Sequence, residues 1–297
     1  MIRPVAFSMN PETASNNHYQ HSHSDDESSV INAHAQQEFD AIVKTLVIHG
    51  VQVHVVNDTP LPLTPDSLFP NNWISFHGDK YVLYPMQASN RRLERRIDFN
   101  ESDFQYAFGK KQKVDFAHHE GEGHYLEGTG SLVLDRINKL AYASLSERTS
   151  DDLVREWCNE MEYSQVIFHA CQTVSNKRVP IYHTNVMMSI ATDFAIVCAD
   201  AIDDVNERKF VLSSLEQSGR ELILISEDQV NQFLGNALEL QTFNNKSILV
   251  MSDSAFASLQ AHQKQNIEKY CEIVHSSLQT IEKYGGGSAR CMIAEVF

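Results

Sequence analysis

Apolar residues follow two alternating rhythms along the chain. In "EFDAIVKTLVIHG", Phe39, Ile42, Val43, Leu46 and Val47 recur at helical spacing, and Gly50 stands where a helix commonly stops. "VQVHVV" then alternates residue by residue, as a half-buried strand does. The helix-then-strand order returns in "ERKFVLSSLEQSG" and "ELILIS". "DDLVREWCNEM" opens with Asp at a capping position and spaces Leu153, Trp157 and Met161 along one face. "SILVMS" reads as a short buried strand, and "HQKQNIEKYCEIV" as a further helix. Short strands separated by helices predict an α/β fold. No repeat of fixed period is visible and no Pro- or Ser-rich linker interrupts the sequence, so one domain, 1–297, is expected.

Composition narrows the classes of function. Hydrophobic residues make up 42% of the chain, enough for a substantial core. No apolar run approaches the roughly 18 residues of a membrane helix, and "MIRPVAFSMN" has no apolar core of a signal peptide. No membrane partner is therefore expected. The formal net charge of -15 argues against nucleic acid, because phosphate binding wants a basic surface. Five cysteines with no CxxC pair fit neither a disulfide framework nor zinc knuckles, and a reducing cytoplasm is the expected location. Cys158 and Cys271 sit in helical patterns and Cys198 in "FAIVCAD", as small core residues would. Cys291, at the end of "GGGSARC", has no such setting. "HSHSDDESS" (21–29) reads as a polar loop, with a lid over a site as its functional alternative, and His18, His21 and His23 read as polar-loop residues in and beside it rather than as a metal site.

Four stretches with polar residues, two of them glycine-containing, fit neither rhythm: "PDSLFPNNW", "EGTGSLVLD", "YHTNVMM" and "GGGSARC". A phosphate loop would need a Lys after the glycines and a following helix, and "GGGSARC" has neither. A reactive thiol needs a base or a positive field. His183 in "YHTNV" is placed at a strand entrance, and Glu127 in "LEGTG" lies between glycines that clear space. A Cys291–His183–Glu127 constellation would let the carboxylate orient the imidazole while the imidazole shuttles protons. The competing enzyme reading is a metal site in "HHEGEGHYLEG". Its spacing matches no HExxH pair and two glycines break the helix, so no metal and no other cofactor is expected.

Together these stretches resemble the guanidino-group-modifying enzymes, the superfamily of arginine deiminase, dimethylarginine hydrolase and amidinotransferase. The order of an acid–glycine motif, a His, and a C-terminal glycine loop ending in Cys is the order of that superfamily. "PDSLFPNNWISFH", "EGTGSLVLDR", "YHTNVMM" and "GGGSARCMIAEVF" look most similar to its CtlX group, described as citrulline ureidases, and the likeness runs from "RPVAFSMNPETASNN" to Phe297. The resemblance implies a pentein-type five-bladed α/β propeller of ββαβ modules with pseudo-fivefold symmetry. It implies Cys291 as nucleophile, His183 as acid and base, Glu127 as its acidic partner, and Arg148 in "SERT" as the clamp for a substrate α-carboxylate. Asp66 in "PDS" keeps the family acid, for substrate contact or loop structure.

Two departures bear on the substrate. Related deiminases carry carboxylates where this chain has Asn72 and Asn185. A guanidinium stays charged at neutral pH and only donates hydrogen bonds, whereas a ureido group also offers a carbonyl acceptor that an amide N–H can meet. The substitution favours L-citrulline, cleaved to ornithine, carbon dioxide and ammonia through a thioester-type intermediate. The alternative is deimination or hydrolysis of arginine or a methylated arginine, and a third reading is a non-enzymatic binding module. A small amino acid is the expected partner, and the sequence leaves a homo-oligomer open.

Overall fold

The computed structural model describes residues 1–22, 24, 27–95, 109 and 111–297. The chain opens with a parallel pair, β1 (Ile2–Arg3) and β2 (Val56–Asn57), joined by helix Ser28–Ile48. One unit then occurs four times: an antiparallel hairpin, a crossover, and a third strand parallel to the second. It is built by β3 (Ile74–His77), β4 (Lys80–Leu83) and β5 (Gln112–Asp115), then by β6 (Val133–Asp135), β7 (Leu140–Ser144) and β8 (Ser164–Phe168). A separate hairpin of β9 (Cys171–Val174) and β10 (Lys177–Pro180) follows. The unit returns in β11 (Met188–Ile190), β12 (Phe194–Val197) and β13 (Glu221–Leu224), and in β14 (Leu238–Gln241), β15 (Ser247–Ser252) and β16 (Glu272–Ser276). Helices Asp151–Met161, Val205–Gln217 and Ala261–Glu268 lie in the last three crossovers. Among the described residues no sheet closes on itself, and the pair β1–β2 has two strands where the other units have three.

The apolar rhythms follow from this arrangement. The middle strand of each unit is flanked on both edges, and β12 and the core of β15 are buried at every position, so they read as continuous apolar runs. Helix Asp151–Met161 buries Leu153, Trp157 and Met161, but its cap is Ser150. Asp151 and Asp152 occupy the first turn, where carboxylates face the positive end of the helix dipole. Helix Ser28–Ile48 buries Phe39, Ile42 and Leu46 and leaves Val47 exposed, and Gly50 closes it at φ 85°. "VQVHVV" contributes only Val56 to a strand, because β2 pairs with just two residues of β1. "HQKQNIEKYCEIV" divides into helix Ala261–Glu268 and the start of β16, with Cys271 buried between them. All five cysteines are free thiols. No described helix is long and apolar enough to cross a membrane.

Short turns linked from unit to unit position the site. Turns Pro70–Asn72, Gly128–Ser131 and Thr184–Val186 precede β3, β6 and β11. A turn at 231–236 precedes β14, and Ala289–Met292 lies near the C-terminus. Each turn bonds to the next. Thr129 Oγ1 donates to the Asn71 carbonyl at 3.3 Å and Thr184 Oγ1 to the Ser131 carbonyl at 2.6 Å. Asn236 Nδ2 donates to the Asn185 carbonyl at 3.1 Å, and the Arg290 N–H to the Asn236 carbonyl at 3.3 Å. Phe69, just before the first turn, packs on Gly287, just before the last.

Candidate active site

Cys291 sits in the last of these turns and is buried. Its Sγ receives Nδ2 of Asn236 at 3.2 Å and Nδ2 of Asn185 at 3.6 Å. The glycines before it are required by the protein itself. Gly286 adopts φ 64°, and a Cβ there would lie 2.4 Å from Asn17 Oδ1. A Cβ on Gly287 would stand 2.9 Å from the Phe69 ring and 3.3 Å from the Cys291 Cβ. The carbonyls of the run are also engaged. That of Gly285 accepts from Asn17 Nδ2 and Gln20 Nε2, and that of Gly286 accepts from the Tyr182 hydroxyl at 2.6 Å.

His183 caps the turn Thr184–Val186, at the strand entrance expected for it. Its Nε2 lies 2.8 Å from Glu127 Oε2, and both residues are buried. Burial acts to raise the Glu127 pKa, but Arg148, His183 and Arg91 outweigh it and hold the carboxyl well below the usual range. Burial lowers His183 to about 4, against the pull of Glu127. The pair at neutral pH is therefore carboxylate and neutral imidazole. A carboxylate only accepts, so the proton sits on Nε2 and Nδ1 is the basic nitrogen. The backbone N–H of Gln87 holds the other carboxylate oxygen at 3.0 Å.

Asp66, Asn72, Arg148, His183 and Cys291 line one void of about 10 Å³, with Glu127 behind His183. Arg148 is buried, lies 3.5 Å from Glu127 Oε2, and stands over the Tyr182 ring at 4.9 Å. Its guanidinium donates to Asn16 Oδ1. Asp66 Oδ2 accepts from Asn10 Nδ2 at 2.8 Å, while its Oδ1 has no hydrogen-bond partner. Asn72 Oδ1 accepts from Arg91 Nη1 at 2.8 Å, and its Nδ2 has no partner. Asn185 does not border this void. It lies against the thiol and borders a separate cavity of about 800 Å³.

Sequence reasoning missed Arg91 and Asn236. Arg91 is buried in the void wall and bonded bidentately to Glu94 at 2.8 and 3.0 Å. "NRRLERR" reads as an exposed basic helix, and only the fold turns Arg91 inward. Asn236 follows a glycine in "LGNALEL" and carries no motif of its own. Residues 10–20 bring Asn10, Asn16 and Asn17 to the site, and Ser28 already begins the helix. Of the polar loop 21–29, for which a lid was the alternative reading, residues 23, 25 and 26 lie outside the described residues. The cluster "HHEGEGHYLEG" disperses: His119 pairs with Glu122 and Glu156, Glu120 pairs with Arg95, and only Glu127 reaches the site.

Together the repeated units and their linked turns give the fold of the guanidino-group-modifying enzymes. The N-terminal domain of ArgZ, solved with a covalently bound reaction intermediate, is similar with a TM-score of 0.73 at 16% identity, over 100% of this chain and 96% of that one. The same domain bound to substrate, from an arginine dihydrolase of the ornithine-ammonia cycle in cyanobacteria, gives 0.70 at 15% identity, over 98% and 95%. A dimethylarginine dimethylaminohydrolase adduct with S-methyl-L-thiocitrulline gives 0.60 at 13% identity, over 98% and 96%. No curated protein matches the chain in sequence. The family model described as "N,N dimethylarginine dimethylhydrolase, eukaryotic" matches residues 3–297, and the chain belongs to that family.

Proposed function

We propose that this protein is a thiol hydrolase acting at the guanidino carbon of an arginine-type amino acid. The carrying observation is that the buried side chains of Cys291, His183 and Arg148 meet at one small void with Glu127 holding the imidazole. The family, and neighbours described as an arginine dihydrolase and a dimethylarginine dimethylaminohydrolase, support this substrate class.

In the proposed scheme Arg148 pairs with the substrate α-carboxylate, a match of planar fork to carboxylate. The Cys291 thiol gives its proton to His183 Nδ1 and the sulfur bonds to the guanidino carbon. His183 returns the proton to the departing nitrogen, which leaves as ammonia or an alkylamine. Water then gives a proton to His183 and its oxygen bonds to the same carbon. The carbon–sulfur bond breaks, a ureido product forms, and the thiol regains its proton. The scheme uses no metal and no organic cofactor. We infer that the five linked turns surround one axis, as in a five-bladed propeller, which delivers one residue set to one point.

A second reading, hydrolysis of the ureido group of L-citrulline, is favoured by the orientation of Asn72. Its amide presents a free N–H₂ donor, which meets a ureido oxygen and finds no acceptor on a guanidinium. The scheme then ends in ornithine, carbon dioxide and ammonia. The two readings are successive hydrolyses at one carbon. The test is release of amine or ammonia from L-arginine, dimethyl-L-arginine and L-citrulline, with Cys291→Ser as the blank. Turnover of a guanidino substrate supports the first reading, turnover of citrulline alone the second, and turnover of none defeats both.

A further inference from the structure

We propose that Asn236 is the positioning residue for the nucleophile: its carboxamide fixes the Cys291 side chain and supplies the nearer of two N–H donors to the sulfur. The inference rests on the reading of Cys291 as nucleophile and adds the residue that prepares it. Its orientation is unambiguous. Nδ2 lies 3.1 Å from the Asn185 carbonyl, which only accepts, so the nitrogen is on that side. The same Nδ2 is 3.2 Å from Cys291 Sγ, and Oδ1 accepts from the Cys291 backbone N–H at 3.4 Å. One side chain therefore holds both the backbone and the sulfur of Cys291. Its own carbonyl accepts from Arg290 N–H, which ties the turn at 231–236 to the turn carrying the thiol. Asn236 is buried, so water does not compete for these bonds.

The consequence is chemical as well as steric. No hydrogen bond joins Cys291 to His183 among the described residues, where the sulfur's donors are two carboxamides, Asn236 at 3.2 Å and Asn185 at 3.6 Å. A hydrogen bond to the charged form favours that form. Asn236 thus holds a sulfur anion in place at the moment the imidazole takes its proton.

The test measures alkylation of Cys291 by iodoacetamide across pH in the full chain, with the adduct located by peptide mass, alongside kcat and KM. Asn236→Ala removes donor and acceptor without adding charge, Asn236→Leu does the same with the volume kept should Asn236→Ala fail to fold, and Asn236→Asp keeps an acceptor but sets a carboxylate beside the sulfur. Alkylation at neutral pH is expected to slow at least about tenfold in Asn236→Ala, the scale of a lost hydrogen bond to a charged group, and further in Asn236→Asp, whose carboxylate also repels the sulfur anion. The profile is expected to move to higher pH, and kcat to fall more than KM rises. Asn185→Ala is expected to show the smaller effect of the longer contact. Unchanged alkylation and kcat in any folded Asn236 variant overturns the proposal, as does a larger effect from Asn185→Ala. Loss of the underlying reading looks different: Cys291→Ser would then retain turnover, whatever Asn236 does to alkylation.

Discussion

Arg91 Nη1 donates to Asn72 Oδ1 at 2.8 Å, and this bond decides which end of the Asn72 amide is free. A guanidinium cannot accept, so the oxygen must face Arg91 and the N–H₂ group is left without a partner. Across the void, Asp66 Oδ1 is an acceptor without a partner. A ureido group offers an acceptor to the first and a donor to the second. A guanidinium satisfies only Asp66.

Asn72→Asp tests this reading of specificity. An unmet buried donor costs about 1–3 kcal/mol, so the ratio of kcat/KM for arginine over citrulline is expected to rise roughly five- to 150-fold in the variant. Parallel steady-state measurements on the two substrates give the ratio. An unchanged ratio removes Asn72 from specificity.

Glu127→Gln keeps the shape of the residue and loses its charge. The neutral side chain no longer stabilises a protonated His183 at 2.8 Å. Proton transfer by a positioned group contributes roughly a hundred- to ten-thousandfold, so kcat is expected to fall within that span while KM changes little. Steady-state kinetics on the substrate with greatest turnover checks it.

The fold was legible in outline because the crossover helices and buried middle strands impose strong periodicity, as at Leu153, Trp157 and Met161 or in β12. The short β2 escaped because two paired residues leave no rhythm to read. Cys291, His183, Glu127, Asp66 and Asn72 stand out in stretches that fit neither rhythm, Arg148 was marked by the family resemblance, and the structure brings all six to one place. Asn185 comes to the same thiol but from a different cavity. Arg91 and Asn236 were invisible because their roles come from contacts 19 and 55 residues away in sequence.

The pH dependence follows from His183. Its pKa is lowered from 6.5 to about 4 by burial, so the imidazole stays neutral well below the usual range. The acid limb of kcat/KM is expected near pH 4, not near 6.5. The sign for stability is the same: the unfolded chain binds this proton more readily. The contribution of neutral His183 is present above pH 6.5 and is lost as pH falls from there through about 4. A pH–rate profile and acid denaturation curves, each compared with His183→Gln, measure the two effects.

Gly130→Ala is expected to damage the site without replacing any titratable group. The new Cβ would fall 2.5 Å from Asn72 Nδ2 and 2.8 Å from His183 Nδ1. Overpacking of this kind costs about 1–3 kcal/mol, and the displaced imidazole should lower kcat by at least about tenfold. Thermal unfolding and kinetics on one preparation separate the two losses.

The central claim is that Cys291 bonds to the substrate carbon. Mass spectrometry of acid-quenched enzyme, taken during turnover of the best substrate and mapped to peptides, tests it most directly. The account predicts an adduct on the Cys291 peptide alone, absent from Cys291→Ser, which is also inactive. Undiminished turnover by Cys291→Ser, or an adduct on any other residue, would contradict it.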